Sequence, residues 1–235
     1  MGRAVAIVVA GGSGRRMEGR VAKQYLPLGG VPILSRTLRA VSLAGTIDEI
    51  FLVVPAGDEI YCEDTILSAV RVGKPVHIVP GGGERQASVR NGLLAAKADF
   101  SVVAIHDGVR PFVNPKQIDE SIHTAEALGA CMLAVPTHDT LKRVDETGVV
   151  RSTLSREGIW LAQTPQTFRF DTILKAHQTA EKEGFPGTDD AALAERIGCP
   201  VHVIPGSRFN IKITTPEDLA LAEAILSCSI FRSDP

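Results

Sequence analysis

The sequence predicts an α/β fold, with a mostly parallel, twisted sheet and helices on both faces. Short β-branched runs alternate with stretches of helical periodicity, which is the pattern of strand–helix–strand units. The first apolar run ends at a glycine-rich loop, where open α/β sheets bind ligands. The length of 235 residues suits a single domain with a sizeable core. We expect that domain over residues 1–227 and a disordered tail over residues 228–235.

Apolar runs and helical periodicity place the individual elements. The predicted core strands are Ala4–Ala10, Glu49–Val54, Val76–Val79, Ser101–His106, Cys131–Pro136 and Val201–Ile204. The predicted helices are Ile33–Leu43, Asp58–Val70, Glu84–Ala96, Pro115–Ala127, Phe170–Lys182, Asp189–Ile197 and Pro216–Leu226. Thr215 is expected to cap the last helix, because proline and two acidic residues follow it.

One segment interrupts the alternation of strands and helices. Two extended stretches, Thr140–Val144 and Val149–Leu154, flank the turn residues Asp145–Gly148 and predict an inserted β-hairpin arm at about residues 138–159. An isolated two-stranded hairpin is only marginally stable in water. We therefore expect a second copy of the chain to cover the arm, which makes the protein a homodimer.

Charge and composition exclude several classes of function. The formal net charge of −2 gives no global field for nucleic acid or an anionic membrane, so neither is expected as a partner. The four cysteines are widely spaced and show no metal-ligand pattern, which predicts free thiols. The apolar run at the N-terminus is too short to span a bilayer. A cytoplasmic protein is expected.

The loop after the first strand is a candidate anion site. Its backbone N–H groups, at Ala10, Gly11, Gly12 and Gly14, could approach a phosphate closely. Arg16 and Lys23 add positive charge. The loop fits neither a dinucleotide fingerprint, whose third glycine is absent, nor a P-loop, whose lysine and hydroxyl are absent. A tight turn with solvated arginines remains the alternative.

Two further loops follow predicted strands. Gly82 and Ser88 flank the start of a helix and could read the edge of a base, or form a plain connection. Asp107 ends an apolar strand, where a carboxylate is well placed to hold Mg²⁺. Arg110 could contact a substrate or merely pair with Asp107. His106 has no partner at metal-ligand spacing, so a hydrogen-bonded core histidine is expected.

Two C-terminal segments complete the candidates. Asn210–Thr214 alternates in polarity and predicts a strand with Asn210 and Lys212 on one face. Lys212 could aim at a transferring phosphoryl group or extend into solvent. Thr188 precedes two aspartates that begin a helix, where a plain N-cap is the alternative to a functional role.

Taken together, these motifs resemble those of the 2-C-methyl-D-erythritol 4-phosphate cytidylyltransferase family, in the same order and over nearly the whole chain. The matching segments are residues 10–17, Lys23-Gln24-Tyr25, Gly81-Gly82 with Glu84-Arg85 and Ser88, residues 106–112, Asp139-Thr140, Arg156, Trp160, Thr164-Pro165-Gln166, Thr188-Asp189-Asp190 and Asn210-Ile211-Lys212. The resemblance implies a single Rossmann-like nucleotidyltransferase domain that transfers a cytidylyl group from CTP to a sugar-alcohol phosphate in the non-mevalonate isoprenoid pathway.

The resemblance also implies roles for individual residues. The catalytic residues would be Arg16, Lys23 and Lys212. The nucleotide would be bound by Ala10, Gly11, Gly12, Gly14, Arg16, Lys23, Gly82, Ser88 and Asp107. The second substrate would be bound by Asp107, Arg110, Thr140, Arg156, Thr164 and Thr188. Mg²⁺ would sit on Asp107. The hairpin would be a dimerisation arm that carries Thr140 and Arg156 into the neighbouring subunit's site.

These residue types suit the implied reaction. A phosphate monoester, with a second pKa near ~6, is already ionised at neutral pH and needs no general base. The difficulty is the repulsion between two highly charged reactants, which counter-charge, a metal and alignment would overcome. A cytidylyltransferase for ribitol or ribulose 5-phosphate remains an alternative. An NAD-binding oxidoreductase and a non-catalytic nucleotide-binding protein are more distant ones.

Overall fold

The computed structural model describes residues 2–12, 22–96 and 99–228. The strands in chain order are β1 Ala4–Val9, β2 Pro27–Leu28, β3 Val31–Pro32, β4 Ile47–Val54, β5 Val76–Pro80, β6 Val102–Asp107, β7 Ala130–Pro136, β8 Leu141–Val144, β9 Val150–Leu154, β10 Trp160–Arg169 and β11 His202–Pro205. The helices are α1 Ile33–Ser42, α2 Glu59–Tyr61, α3 Arg85–Ala96, α4 Pro115–Leu128, α5 Phe170–Glu183, α6 Asp190–Arg196 and α7 Pro216–Ser227.

Seven of these strands form one sheet, in the order β11-β7-β10-β6-β1-β4-β5. Within the sheet only β10 runs against its neighbours, and the other described pairs are parallel. The predicted α/β class with a mostly parallel sheet is therefore confirmed. Parallel strands place their carboxyl ends at one edge, so the loops after β1, β4, β5 and β6 meet there.

The two faces of β1 show why helices cover both sides of the sheet. All six residues of β1 are buried. Ala4, Ala6 and Val8 pack in one core cluster that includes side chains of α1 and α4. The alternate residues of β1 pack in a second cluster that includes side chains of α3 and α5. Because alternate residues of β1 enter different cores, every residue of the strand is apolar, and the sequence shows this as a continuous apolar run.

The long strand β10 is the main element that the sequence prediction missed. Its middle reads Gln163-Thr164-Pro165-Gln166, a polar stretch with a proline, which argues against a central strand. In the structure the bond before Pro165 is cis. The pairing with β7 shifts its register between Ala162 and Gln166. The irregularity accommodates the proline, and residues 163–168 are buried between β6 and β7.

Two other predicted elements are corrected. Asn210–Thr214 is not a strand, because its backbone bonds to a loop instead of a ladder: Ile213 N donates to Val109 O at 3.0 Å. The predicted helix Asp58–Val70 is a short α2 followed by a π-helix over Cys62–Leu67. The cap on α7 is confirmed: the Thr215 side chain accepts from Asp218 N, and Asp218 bonds back.

The arm has the predicted form. Strands β8 and β9 pair antiparallel, and the side chain of Asp145 accepts hydrogen bonds from Thr147 N and Val149 N in the turn. Several apolar side chains on and beside the arm are exposed to solvent in the single chain. They are Val144, Val149, Val150, Leu154, Ile159, Trp160 and Leu161. Over the described ranges, no helix is both long and apolar enough to cross a membrane.

The close contact of α3 with the sheet generates a testable prediction. A Cβ on Gly92 would lie 2.7 Å from Ile7 Cγ2 and 3.0 Å from Val53 Cγ2. We expect Gly92→Val to lower the free energy of unfolding by at least about 1–3 kcal/mol, because it overpacks the core. Urea denaturation measures this change. Gly73→Ala is the control, since a Cβ there meets nothing within 4 Å. Equal midpoints for the two variants would contradict the prediction.

Candidate active site

The carboxyl ends of the central strands bring the predicted loops together. Val9 lies opposite Asp107 in the β1–β6 register, so the first loop begins beside the predicted carboxylate. Gly108 N donates to Val9 O at 2.8 Å, and Gly81 N donates to Val54 O at 2.7 Å. These backbone bonds extend the parallel pairing into the loops, and they hold three separate segments at one edge.

Glycine is required at two of these contacts. A Cβ on Gly108 would lie 3.0 Å from Ala10 Cβ and 2.9 Å from Leu34 Cδ1. A Cβ on Gly11 would lie 2.8 Å from Ser88 Oγ. Larger residues would push the first loop away from both neighbouring loops. The described start of the first glycine-rich loop, residues 10–12, therefore forms a continuous floor with the second loop next to Asp107.

Ser88 organises the second loop instead of pointing freely into the site. Its side chain is buried, and its hydroxyl accepts from Gly82 N at 3.1 Å and donates to Glu84 O at 3.0 Å. Gly82 itself packs against Ala87, where a Cβ would lie 2.5 Å from the alanine Cβ. In this structure Ser88 shapes the loop that was predicted to read the base.

Lys23 lies beside the first loop because the adjacent residue, Gln24, is hydrogen-bonded to that loop. Gln24 is buried, and its side-chain amide donates to Ala10 O at 2.8 Å and to Gly12 O at 3.3 Å. This tie fixes the short 3₁₀ turn Lys23–Tyr25 against the loop. Lys23 is therefore next to the predicted phosphate site. The predicted residues Gly14 and Arg16 lie outside the described residues.

Asp107 is the centre of the site. Its carboxylate is buried and is surrounded by three cationic side chains. Arg85 and Lys212 come from distant parts of the chain, and Arg110 follows Asp107 by three residues. Arg85 Nε lies 3.1 Å from Oδ1, and Lys212 Nζ lies 2.9 Å from Oδ2. Arg110 Nε lies 3.6 Å from Oδ2. The predicted pairing of Arg110 with Asp107 is present, but it is the longest of the three contacts.

These contacts decide the charge of the site. Burial alone would raise the pKa of Asp107, but Arg85, Lys212 and Arg110 outweigh it and hold that pKa well below its usual range. Burial likewise opposes the charged form of Arg85, while Asp190 and Asp107 together raise its pKa. Asp107 and Arg85 are therefore charged at neutral pH. The basic side chains of the cluster, Arg85, Arg110 and Lys212, outnumber its carboxylates, Asp107 and Asp190. The surplus positive charge suits a phosphorylated ligand.

Lys212 and Arg110 are positioned by an irregular segment of backbone. Arg110 Nη1 donates to Asn210 O at 2.6 Å. Asn210 is fully buried, and its side-chain amide donates to Thr164 O at 2.8 Å. The side chain of Lys212 is 39% exposed, whereas that of Asp107 is 8% exposed. The ammonium group is therefore partly open to solvent, whereas the carboxylate is enclosed.

The buried residues Thr164 and His106 hold Asp107 in place through hydrogen bonds. Asp107 N donates to Thr164 Oγ1 at 3.0 Å, and that hydroxyl bonds His106 Nδ1 at 3.1 Å. The other ring nitrogen contacts Arg110 O at 3.1 Å, which identifies it as the protonated one. Burial lowers the pKa of His106 to about 4, so the ring is neutral. The prediction of a hydrogen-bonded core histidine is confirmed.

Thr188 is exposed in a loop that is tied to the site on both sides. Gln166 Oε1 accepts from Asp190 N and Ala191 N at the start of α6. The side chain of Asp189 caps the same helix by accepting from Ala192 N at 2.9 Å, as a plain N-cap would. Arg85 links Asp190, at the start of the same helix, to Asp107, so the exposed Thr188 lies in a segment that is joined to the site.

Thr140 and Arg156 do not join this cluster within the single chain. Both are exposed on the arm, and the guanidinium of Arg156 donates to His138 O. For these two residues, the described part of the chain shows no hydrogen bond or ion pair to Asp107, Arg110 or Lys212.

Asp107, at the carboxyl edge of the sheet, is the residue whose carboxylate was predicted to bind a metal ion. Across residues 2–12, 22–96 and 99–228, no three His, Cys, Asp or Glu side chains cluster as a metal site would require. Enzymes that transfer nucleotidyl groups generally use a divalent cation, and Mg²⁺ is commonly held by one or two carboxylates plus substrate phosphates. One carboxylate beside the predicted triphosphate site meets that minimum.

Three residues that help to form the Asp107 site were given no role from the sequence. Arg85, Asp190 and Asn210 were noted only as parts of motifs, yet they hold the carboxylate and the cations in place. One signal was available for Arg85, which follows the second glycine-rich loop at the start of a helix, because a guanidinium is well suited to bind carboxylates and phosphates. Arg85 contacts Asp190, and Asn210 contacts Arg110, across about a hundred residues of sequence, so spacing could not reveal these contacts.

Comparisons with known proteins identify the family of this chain. A sequence model of the family "IspD: 2-C-methyl-D-erythritol 4-phosphate cytidylyltransferase" matches residues 4–228. A 2-C-methyl-D-erythritol 4-phosphate cytidylyltransferase of Syntrophus aciditrophicus is 50% identical over 224 residues, covering 95% of this chain and 96% of the relative. One of Pelotomaculum thermopropionicum is 46% identical over 226 residues, covering 96% and 95%.

Solved structures show the same fold. The crystal structure of 4-diphosphocytidyl-2C-methyl-D-erythritol synthase from Anaerococcus prevotii superposes with a TM-score of 0.85 at 34% identity, covering 97% of each chain. The cytidylyltransferase from Thermus thermophilus superposes with a TM-score of 0.77 at 33% identity, covering 96% of this chain and 98% of that one. The chain thus belongs to the IspD family of 2-C-methyl-D-erythritol 4-phosphate cytidylyltransferases.

Proposed function

We propose that the edge formed by the two glycine-rich loops and Asp107 is where this chain transfers a cytidylyl group from CTP to 2-C-methyl-D-erythritol 4-phosphate. The products are 4-diphosphocytidyl-2-C-methyl-D-erythritol and pyrophosphate, and the reaction belongs to the non-mevalonate isoprenoid pathway. The observation that carries the proposal is the ring of Arg85, Arg110 and Lys212 around one buried carboxylate beside a glycine floor.

The proposed chemistry needs charge and alignment more than acid–base catalysis. The attacking phosphate oxygen approaches the α-phosphorus, its bond to phosphorus forms, and the bond to the pyrophosphate oxygen breaks. Two unit charges about 4 Å apart repel by roughly 4 kcal/mol at an intermediate effective dielectric, and several such pairs act in this reaction. Fixed cations at the sheet edge would lower this repulsion without reorganising during the reaction.

Each predicted residue has a place in this proposal. The backbone of Ala10, Gly11 and Gly12, with Lys23, would hold the triphosphate, and Gly14 and Arg16 would extend the same loop. Gly82 would contact cytosine, and Ser88 would hold that loop in shape. Lys212, Arg110, Thr164 and Thr188 would align the acceptor phosphate, directly or through Asp107.

Mg²⁺ is the proposed divalent cation. Asp107 offers the carboxylate, and oxygens of CTP would complete the coordination. The fit requires Lys212 to turn from the carboxylate toward phosphate, which its exposure allows. When bound, the ion would neutralise charge on the triphosphate.

We further propose that the arm, at about residues 138–159, completes the site of a second subunit in a homodimer. Exposed Val144, Val150 and Leu154 on a two-stranded hairpin are a surface that a partner would cover. The arm would carry Thr140 and Arg156 to the neighbour's acceptor phosphate. The single domain of residues 1–227 would include the arm, followed by the short tail at residues 228–235.

The assignment is tested by a screen of pyrophosphate release. The purified protein is given each of the four ribonucleoside triphosphates with methylerythritol phosphate, ribitol 5-phosphate or ribulose 5-phosphate. We expect release with CTP and methylerythritol phosphate. Faster release with a pentose-derived phosphate would assign the chain to the alternative acceptor, and no release in any combination would refute an enzymatic role.

The role of Lys212 predicts a specific loss of turnover. Lys212→Ala should lower kcat by at least ~100-fold, the scale of removing one transition-state donor, with an unchanged urea midpoint. Lys116→Ala is the matched control, because Lys116 is a lysine at the start of α4, away from Asp107. Turnover of Lys212→Ala within a few-fold of the control would show that this lysine does not serve the reaction.

The charges of the site predict a simple pH profile. The pKa of Asp107 lies well below its usual range and that of His106 is about 4, so neither changes charge as pH rises through neutrality. The acceptor loses its second proton near pH ~6. We expect kcat/KM for the acceptor to rise with pH through that value and then to level off. A further rise centred near pH ~7 that persists with a non-titrating acceptor analogue would point to a catalytic base.

Exchange of the arm predicts complementation between two impaired variants. Arg156→Ala should mainly raise the KM for the acceptor, and Lys212→Ala should lower kcat. A mixed dimer contains one site with intact Lys212 from one subunit and intact Arg156 from the other. Half of the dimers formed by random co-refolding of equal amounts are mixed, and each has one intact site. At an acceptor concentration far below the raised KM, co-refolding should therefore restore about one quarter of wild-type activity. If the arm serves its own chain, mixing restores nothing, and a KM increase confined to CTP would show that Arg156 is misassigned.

A further inference from the structure

We propose that Arg85 is a positioning residue that locks Asp107 to the loop carrying Thr188, so that the carboxylate and that loop keep one fixed geometry. This inference rests on the proposed function of the Asp107 site. Arg85 is the first residue of α3, directly after the second glycine-rich loop. It is assigned no contact with substrate; it acts through the groups that it holds.

The first line of support is that one guanidinium bridges two buried carboxylates. Arg85 Nε lies 3.1 Å from Asp107 Oδ1, and Nη1 lies 2.8 Å from Asp190 Oδ2. The side chains of Asp107 and Asp190 are 8% and 1% exposed. A planar guanidinium presents several donors in a fixed fork, which lets it hold two acceptors at a set separation. The ammonium of a lysine cannot reproduce that fork.

The second line of support is that Asp190 is itself held through both its side chain and its backbone N–H. His177 Nε2 lies 3.1 Å from Asp190 Oδ1, and both side chains are buried. Asp190 N donates to Gln166 Oε1 at 3.0 Å, and Gln166 is a buried residue of β10. Asp190 is therefore a fixed anchor, which transmits its position to Arg85 and then to Asp107.

A parallel tie acts through the next residue of α3. Gln86 Oε1 accepts from Gly187 N at 2.9 Å, and Gln86 Nε2 donates to Phe185 O at 3.2 Å. The start of α3 is thus joined to residues 185–190 by two consecutive side chains, with Thr188 between the anchored positions. Displacement of Arg85 would release Asp107 and loosen the segment around Thr188 together.

The charges around Asp107 indicate what would follow if Arg85 did not bridge the two carboxylates. Without Arg85, Asp190 would keep its contact with His177, and Asp107 would turn toward Lys212 and Arg110. Lys212 would then be held by the carboxylate when the reaction needs it at a phosphate. The bridge therefore keeps Lys212 exchangeable as well as keeping Asp107 oriented.

The test compares substitutions at two arginines of the same helix. Arg85→Lys keeps the positive charge but loses the paired donors of the guanidinium. Arg90→Lys is the matched control, because Arg90 pairs with Glu181 and not with Asp107. We expect Arg85→Lys to lower kcat by ~10–100-fold, the scale of a small misplacement of reacting groups, while the Kd for CTP measured by calorimetry changes less than about threefold. Arg90→Lys should leave kcat and Kd unchanged.

A double-mutant cycle separates positioning from charge. If the bridge acts as one unit, Asp190→Asn and Arg85→Lys should each lower kcat, and the combined variant should be hardly worse than either. Wild-type kcat in Arg85→Lys would overturn the inference, as would multiplicative losses in the double variant. A loss of kcat that only follows a lower urea midpoint would also overturn it. Each of these results is read against an active wild type, whereas failure of the proposed function would leave the wild type itself without cytidylyl transfer.

Discussion

The site depends on one buried carboxylate that is compensated by cations from three separate segments. Asp107 ends a central strand and is 5% exposed, so its charge needs partners in the folded state. Arg85, Arg110 and Lys212 supply them. Arg85 begins α3, Arg110 follows β6 and Lys212 precedes α7, so the ion pairs also tie these segments to one another. Pairing with Asp107 therefore assembles a cationic surface before any ligand arrives.

The sheet makes this assembly possible. Parallel pairing aligns Val9 with Asp107, and backbone bonds from Gly108 and Gly81 carry the alignment into the loops. Glycine at positions 11 and 108 lets these loops touch without side chains between them. The antiparallel β10 adds Thr164 and Gln166, which fix the backbone of Asp107 and the start of α6. Rigid elements thus support a site whose working groups lie in loops.

Much of the fold could be predicted from local pattern, because parallel strands buried on both faces leave continuous apolar runs such as Ala4–Val9. The prediction failed where local preference and tertiary context disagree. Strand β10 contains Pro165 and a polar stretch, yet β6 and β7 enclose it. Asn210–Thr214 alternates like a strand but bonds to a loop. At the site, the loops and Asp107 were predictable from position, whereas the partners of Arg85 required the three-dimensional arrangement.

The central claim is that Lys212 and Arg110, which are now paired with Asp107, serve the phosphates of the two substrates, while Arg85 holds the carboxylate. The most direct measurement is a crystal structure with Mg²⁺, a non-hydrolysable CTP analogue and the acceptor phosphate. The account predicts that Lys212 Nζ leaves the carboxylate and lies about 2.7–2.9 Å from a phosphate oxygen, with Arg85 still bound to Asp107. Phosphates bound elsewhere, with Lys212 still on Asp107, would contradict it.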